Sequence, residues 1–123
     1  MARILVVDDE ESVRAFVERA LTLDGHAVTT AGDGAEALDV LGRDSFDLML
    51  SDIRMPLMDG IALALTAGRD YPDLPILLMT GFADQRERAS DLEALIEDVV
   101  TKPFSLAQIR AAVACVLDAR KVA

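Results

Sequence analysis

Short apolar runs alternate with amphipathic stretches along the whole chain, and most of the runs stop abruptly at a polar side chain. RILVV (3–7) ends at Asp8-Asp9, FDLMLS (46–51) at Asp52, PILLM (75–79) at Thr80-Gly81 and DVVT (98–101) at Lys102-Pro103. In the first three, unbroken apolarity over so few residues reads as a central strand buried on both faces; DVVT reads as a short strand. HAVTT (26–30) is more polar and reads as an edge strand. Between the runs, Val13, Phe16, Val17, Ala20 and Leu21 recur on one face of a helix, which Gly25 can stop. Asp33 with Glu36 forms a capping pair, Asp standing where Ser or Thr is usual, and opens a second helix through Leu41. Asp59 can cap a third, from Ile61 to about Arg69. A fourth, about Asp84 to Leu95, carries a thinner apolar stripe. Ser105 and Gln108 form another capping pair, and Ile109, Ala112, Val113, Val116 and Leu117 line the last helix. Five strands alternating with five helices predict an α/β domain: a parallel sheet, helices on both faces, right-handed crossovers. Neither linker nor repeat interrupts the pattern, so 1–123 reads as a single domain.

Composition narrows the function. A chain of 123 residues is long enough to bury a core without staples. With 22 acidic residues against 12 basic, the net charge of −10 argues against direct binding to nucleic acid or to an anionic membrane face. One cysteine and one histidine exclude an internal disulfide, a cysteine-based zinc site and a histidine cluster. The N-terminal apolar run is too short for a signal peptide, and no apolar stretch reaches the roughly 18 residues a membrane span needs. A cytoplasmic setting is expected.

In an open parallel sheet, ligands bind outside the carboxyl ends of the strands. Parallel strands would bring Asp8, Asp9, Asp52, Thr80 and Lys102 to one edge. Three carboxylates held together repel, and persist only if protonated or bound to a cation. Their oxygens suit a hard cation such as Mg2+, and no soft ligands are at hand. A lone ammonium beside a hydroxyl and a metal makes a receptor for a dianionic phosphoryl group.

Four segments carry a resemblance: VVDDE at 6–10, SDIRMPLMDG at 51–60, MTG at 79–81 and TKPF at 101–104. In order and spacing they resemble the receiver (CheY-like) domain of two-component response regulators. The resemblance implies a flavodoxin-like (βα)5 fold with strand order 2-1-3-4-5. It makes Asp52 the phosphoacceptor, charged by a histidine kinase or a histidine phosphotransfer protein. It gives Mg2+, for which Mn2+ could substitute, the ligands Asp8, Asp9, Asp52 and the main-chain carbonyl of Arg54. Thr80 and Lys102 would hold phosphoryl oxygens, and the peptide before Pro103 would be cis. Met55, Pro56, Asp59 and Gly60 would shape the loop after the phosphoacceptor. Arg54 and Phe82 would flank the line of attack by water and set the lifetime of the aspartyl phosphate. Val99 departs from the family, where an aromatic residue often serves as a rotor. Phe82 could take over that role, or output could rest on backbone shifts alone.

Output would pass through the surface of the fourth helix, last strand and last helix to a protein partner, the chain being a monomer or a phosphorylation-dependent dimer. MARILVVDDE and MTGFA are similar to small single-domain regulators of the CpdR type, which act as protease adaptors; a phosphorelay shuttle is another reading. Two alternatives remain: a receiver cut from a longer DNA-binding regulator or hybrid kinase, and a metal-dependent phosphatase. Plainer roles suffice elsewhere. Glu10 and Glu11 suit a helix N-terminus, Phe104 packs under the last helix, His26 is a strand-edge residue, Cys115 is an inert thiol, and Tyr71 packs in its loop.

Overall fold

In the computed structural model, residues 2–55, 57–81 and 96–122 are described. The helix expected over about 84–95, together with Pro56 and Phe82, lies outside them. The elements run β1 (Arg3–Val7), α1 (Glu11–Leu23), β2 (Ala27–Ala31), α2 (Gly34–Arg43), β3 (Leu48–Asp52), α3 (Gly60–Asp70), β4 (Ile76–Thr80), β5 (Asp98–Thr101) and α4 (Leu106–Val122). All strand pairs are parallel, in the order β2-β1-β3-β4-β5.

Continuous apolarity in the central strands has a simple cause, because both of their faces are covered. Leu5 and Val7 of β1, Met49 of β3 and Ile76 and Leu78 of β4 pack with α2 and α3 through Val40, Leu41, Leu63 and Ala67. Their neighbours Ile4, Val6, Leu48, Leu50, Leu77 and Met79 face the other way, onto Val17 and Leu21 of α1 and Ile109 and Val113 of α4. The alternation follows from the two-residue period of a strand. The more polar β2 lies at one edge and β5 at the other.

Caps fix where the helices begin. Asp33 accepts from the Glu36 N–H at 2.8 Å, and Asp59 accepts from the Ala62 N–H at 2.8 Å. Ser105 and Gln108 satisfy each other's backbone N–H groups, at 3.1 and 2.8 Å, which completes a capping box. Glu36 instead reaches past its cap to accept from the Gly32 N–H at 3.1 Å. Gly25 follows α1 at φ 83°, the left-handed geometry that glycine tolerates.

Strand limits differ from the sequence expectation by one or two residues. β2, β3 and β4 each run through the residue read as lying beyond the run: Ala31, Asp52 and Thr80. The backbone ladder ignores side-chain polarity, so Asp52 pairs with Met79 and Thr80 with Thr101. The polar residues at these ends are therefore held by the sheet itself.

Candidate functional site

Strand register sets the site. Val7 pairs with Ser51, Asp52 with Met79 and Thr80 with Thr101, so Asp8, Asp52, Thr80 and Lys102 leave the sheet at one edge. Asp8 is fully buried and is gripped on every side. Its N–H donates to the Ala31 carbonyl at 3.2 Å, and its own carbonyl accepts from Arg14 Nη1 at 2.6 Å. Its Oδ1 accepts from the Glu10 N–H at 2.9 Å, and its Oδ2 from Lys102 Nζ at 2.9 Å. Asp52 is also buried, and its Oδ1 lies 3.1 Å from the same Nζ. Asp9 is exposed, yet it offers a carboxylate oxygen that lies, with those of Asp8 and Asp52, inside a cluster spanning 4.8 Å.

Lys102 thus acts as counter-ion to two buried carboxylates, a role the sequence reading had not given it. Its N–H donates to the Thr80 carbonyl at 2.7 Å, which ties the end of β5 to β4. The Lys102–Pro103 peptide is cis, as the resemblance implied. Phe104 then packs on Phe16 of α1, ring centroids 6.2 Å apart. Thr80 is buried at the end of β4. Arg54 is exposed on the loop that follows Asp52. Val99 is half-buried against the core face shared with Leu78 and Ile96.

Electrostatics follow from this crowding. Burial, and next the charge of Asp8, push the Asp52 carboxyl up to about 6, although Lys102 pulls the other way. Burial works against the Lys102 ammonium, but its bonds and charge contacts with Asp8 and Asp52 outweigh that and hold it above the ordinary lysine range. A site that both favours a proton on Asp52 and recruits an ammonium carries surplus negative charge. Three clustered carboxylates with oxygen-only donors fit a hard divalent cation.

Gly60 has a reason that motif reading did not supply. A Cβ there would collide with the Asp52 carbonyl oxygen and lie 2.8 Å from Ile53 Cα. The Gly60 N–H donates to the Ile53 carbonyl at 2.7 Å, so the loop from 53 to 60 is closed at its base, against the strand end that carries Asp52. Sequence reasoning also missed Arg14. Its signal was present: a cationic side chain beside the apolar stripe of α1, six residues after Asp8.

Comparisons with known proteins agree with this geometry. Residues 4–114 match the response regulator receiver domain family, and the chain belongs to it. It is 37% identical over 97% of its length to the response regulator MprA of Mycobacterium leprae, and 38% identical to that of Mycobacterium tuberculosis. The chain spans about half the length of these curated relatives, 52% of each. Among solved structures it resembles the response regulator TrrA of Thermotoga maritima, determined with Mg2+ and BeF, at 32% identity and TM-score 0.87 over 95% of this chain and 100% of that one. It also resembles NtrX of Brucella abortus, at 29% identity and TM-score 0.91 over 98% of this chain and 28% of that one. The chain is therefore a receiver domain of the two-component type, a phosphoacceptor signalling domain by family.

Proposed function

We propose that Asp52 accepts a phosphoryl group from a phosphohistidine on a histidine kinase or histidine phosphotransfer protein. The observation that carries this reading is the pairing of Lys102 Nζ with Asp8 and Asp52, at 2.9 and 3.1 Å, beside an oxygen cluster completed by Asp9. An Asp52 oxygen attacks phosphorus, the P–N bond breaks, and the departing imidazole keeps the electron pair and takes up a proton. Lys102 then exchanges a carboxylate partner for a phosphoryl oxygen, and the Thr80 hydroxyl donates to another. Asp8, Asp9, Asp52 and the Arg54 carbonyl would hold Mg2+. The ion supplies charge neutralisation at the phosphoryl oxygens, and Mn2+, with the same preference for oxygen, would serve in its place.

Arg54, and Phe82 by resemblance, set the lifetime of the acyl phosphate by controlling access of water. Phosphorylation shifts a pre-existing equilibrium. The surface of the 84–95 segment, β5 and α4 presents the result to a protein partner, whether in a relay, as an adaptor or as a phosphorylation-dependent dimer. The acidic chain itself contacts neither nucleic acid nor membrane and works in the cytoplasm. Among the described residues, no helix is long and apolar enough to cross a membrane.

Acetyl phosphate with Mg2+ is the direct test. Intact mass should rise by one phosphoryl group per chain, and should stay unchanged with EDTA or in Asp52→Ala. Phosphorylation persisting in Asp52→Ala would refute the assignment. A second reading draws on the longer relatives: the domain serves as the input half of a two-domain regulator. The length of the native protein on an immunoblot decides between this and a stand-alone module.

A further inference from the structure

Of the three carboxylates at the sheet edge, two are anchored through their side chains and one is not. Asp8 accepts from Lys102 Nζ and from the Glu10 N–H, and Asp52 pairs with the same Nζ. Asp9 is exposed, and among the described residues no hydrogen bond or ion pair holds its carboxylate. Its oxygen still lies within 4.8 Å of theirs. The backbone must aim it, and the backbone is clamped. Arg14 Nη1 donates to the Asp8 carbonyl at 2.6 Å, and that carbonyl belongs to the peptide joining Asp8 to Asp9. The Asp8 N–H is already fixed on the Ala31 carbonyl at 3.2 Å. With the carbonyl held as well, the planar unit that leads to Asp9 keeps little freedom.

Arg14 occupies its place against two ordinary preferences. It is a half-buried cation at the end of the first turn of α1, where the helix dipole favours negative charge. Its charge also stands one residue from carboxylates suited to a cation, which it would repel. The guanidinium is nonetheless seated, with Nη1 3.4 Å from where a Cβ on Gly32 would lie, so it spans from α1 to the loop after β2. We propose that Arg14 is a positioning residue for the divalent cation: by clamping the Asp8–Asp9 peptide it keeps the Asp9 carboxylate in the cluster, and so sets the affinity for the metal. The proposal rests on Asp8, Asp9 and Asp52 holding that ion.

Charge and positioning give opposite signs. By charge alone, removing a guanidinium beside the site tightens cation binding; by positioning, it weakens binding. Free Mn2+ is counted from its electron paramagnetic resonance signal as each protein is titrated at constant ionic strength. Arg14→Met keeps the stem and loses the donor, and should raise the Mn2+ dissociation constant about tenfold, the size expected when a metal ligand loses its support. Arg14→Lys restores a single donor, and should bring the constant to within about threefold of wild type, because the bond is neither bidentate nor stacked. In an Asp9→Asn background, Arg14→Met should change the constant by less than about twofold, since the carboxylate it positions is already gone. Unchanged or tighter binding in Arg14→Met overturns the proposal, as does an Arg14→Lys chain no better than Arg14→Met. So does an equal loss with and without the Asp9 carboxylate, which would mean a general loosening of the fold. Should Arg14→Met lack a cooperative melt in EDTA, Arg14→Gln, with its shorter side chain, is held to the same criteria. A wild-type chain that leaves all the Mn2+ free overturns the cation site itself, and this proposal with it.

Discussion

Asp52 and Lys102 set opposing demands within one small volume. Asp52 has its carboxyl raised from 3.8 to about 6 in the folded chain. The native state therefore takes up that proton more readily than the unfolded state. The resulting stability is fully present below the unfolded value near 3.8 and is lost as pH rises through about 6. A shift of this size is worth about 2–3 kcal/mol. In EDTA, Asp52→Asn should then be more stable than wild type at pH 7.5, with the advantage gone by pH 4; urea melts at the two pH values check this. Lys102→Met should act in the opposite direction. It strands two buried carboxylates, and should cost about 3 kcal/mol in EDTA, part of which Mg2+ returns; the same melts read it out. These carboxylates were legible in the sequence because each follows an apolar run. The bridging ammonium was not, since no spacing reveals that residues 94 positions apart will meet. Arg14 escaped for a related reason, because its partner is a backbone carbonyl, which leaves no mark in a residue pattern.

Caps and strand ends divide the labour among the elements. Asp33, Asp59 and the Ser105–Gln108 pair were readable because capping is local chemistry over three residues. The limits of β3 and β4 were not, because the ladder continues through Asp52 and Thr80, the polar residues that end the apolar pattern. Asp59→Ala should cost about 1 kcal/mol, the usual value for a lost cap. Gly60→Ala should cost about 3 kcal/mol or more, since its methyl meets the backbone of Asp52 and Ile53, which cannot rotate away. Thermal melts should rank Gly60→Ala far below Asp59→Ala. Should the two prove equally mild, the close approach of α3 to β3 would lose its explanation.

Across the whole molecule, an excess of ten negative charges meets a sheet edge where three carboxylates gather. A divalent ion that binds only the folded chain must raise its stability, by about 2.7 kcal/mol at a concentration a hundred times its dissociation constant. Added MgCl2 should therefore lift the thermal midpoint well beyond an equal ionic strength of NaCl, and Asp9→Asn should erase most of that difference. The order of the strands was legible only through resemblance, whereas the edge position of β2 was readable from its polarity; that of β5 was not. The bond from Lys102 to Asp8 has one more consequence. It joins the end of β1 to the residue that follows β5, with β3, the strand of Asp52, between them in the sheet. Until β5 is in place, Asp8 and Asp52 lack the ammonium that pairs with both. Readiness for signalling thus arrives all at once, when β5 closes the sheet and brings its ammonium to the acidic pocket.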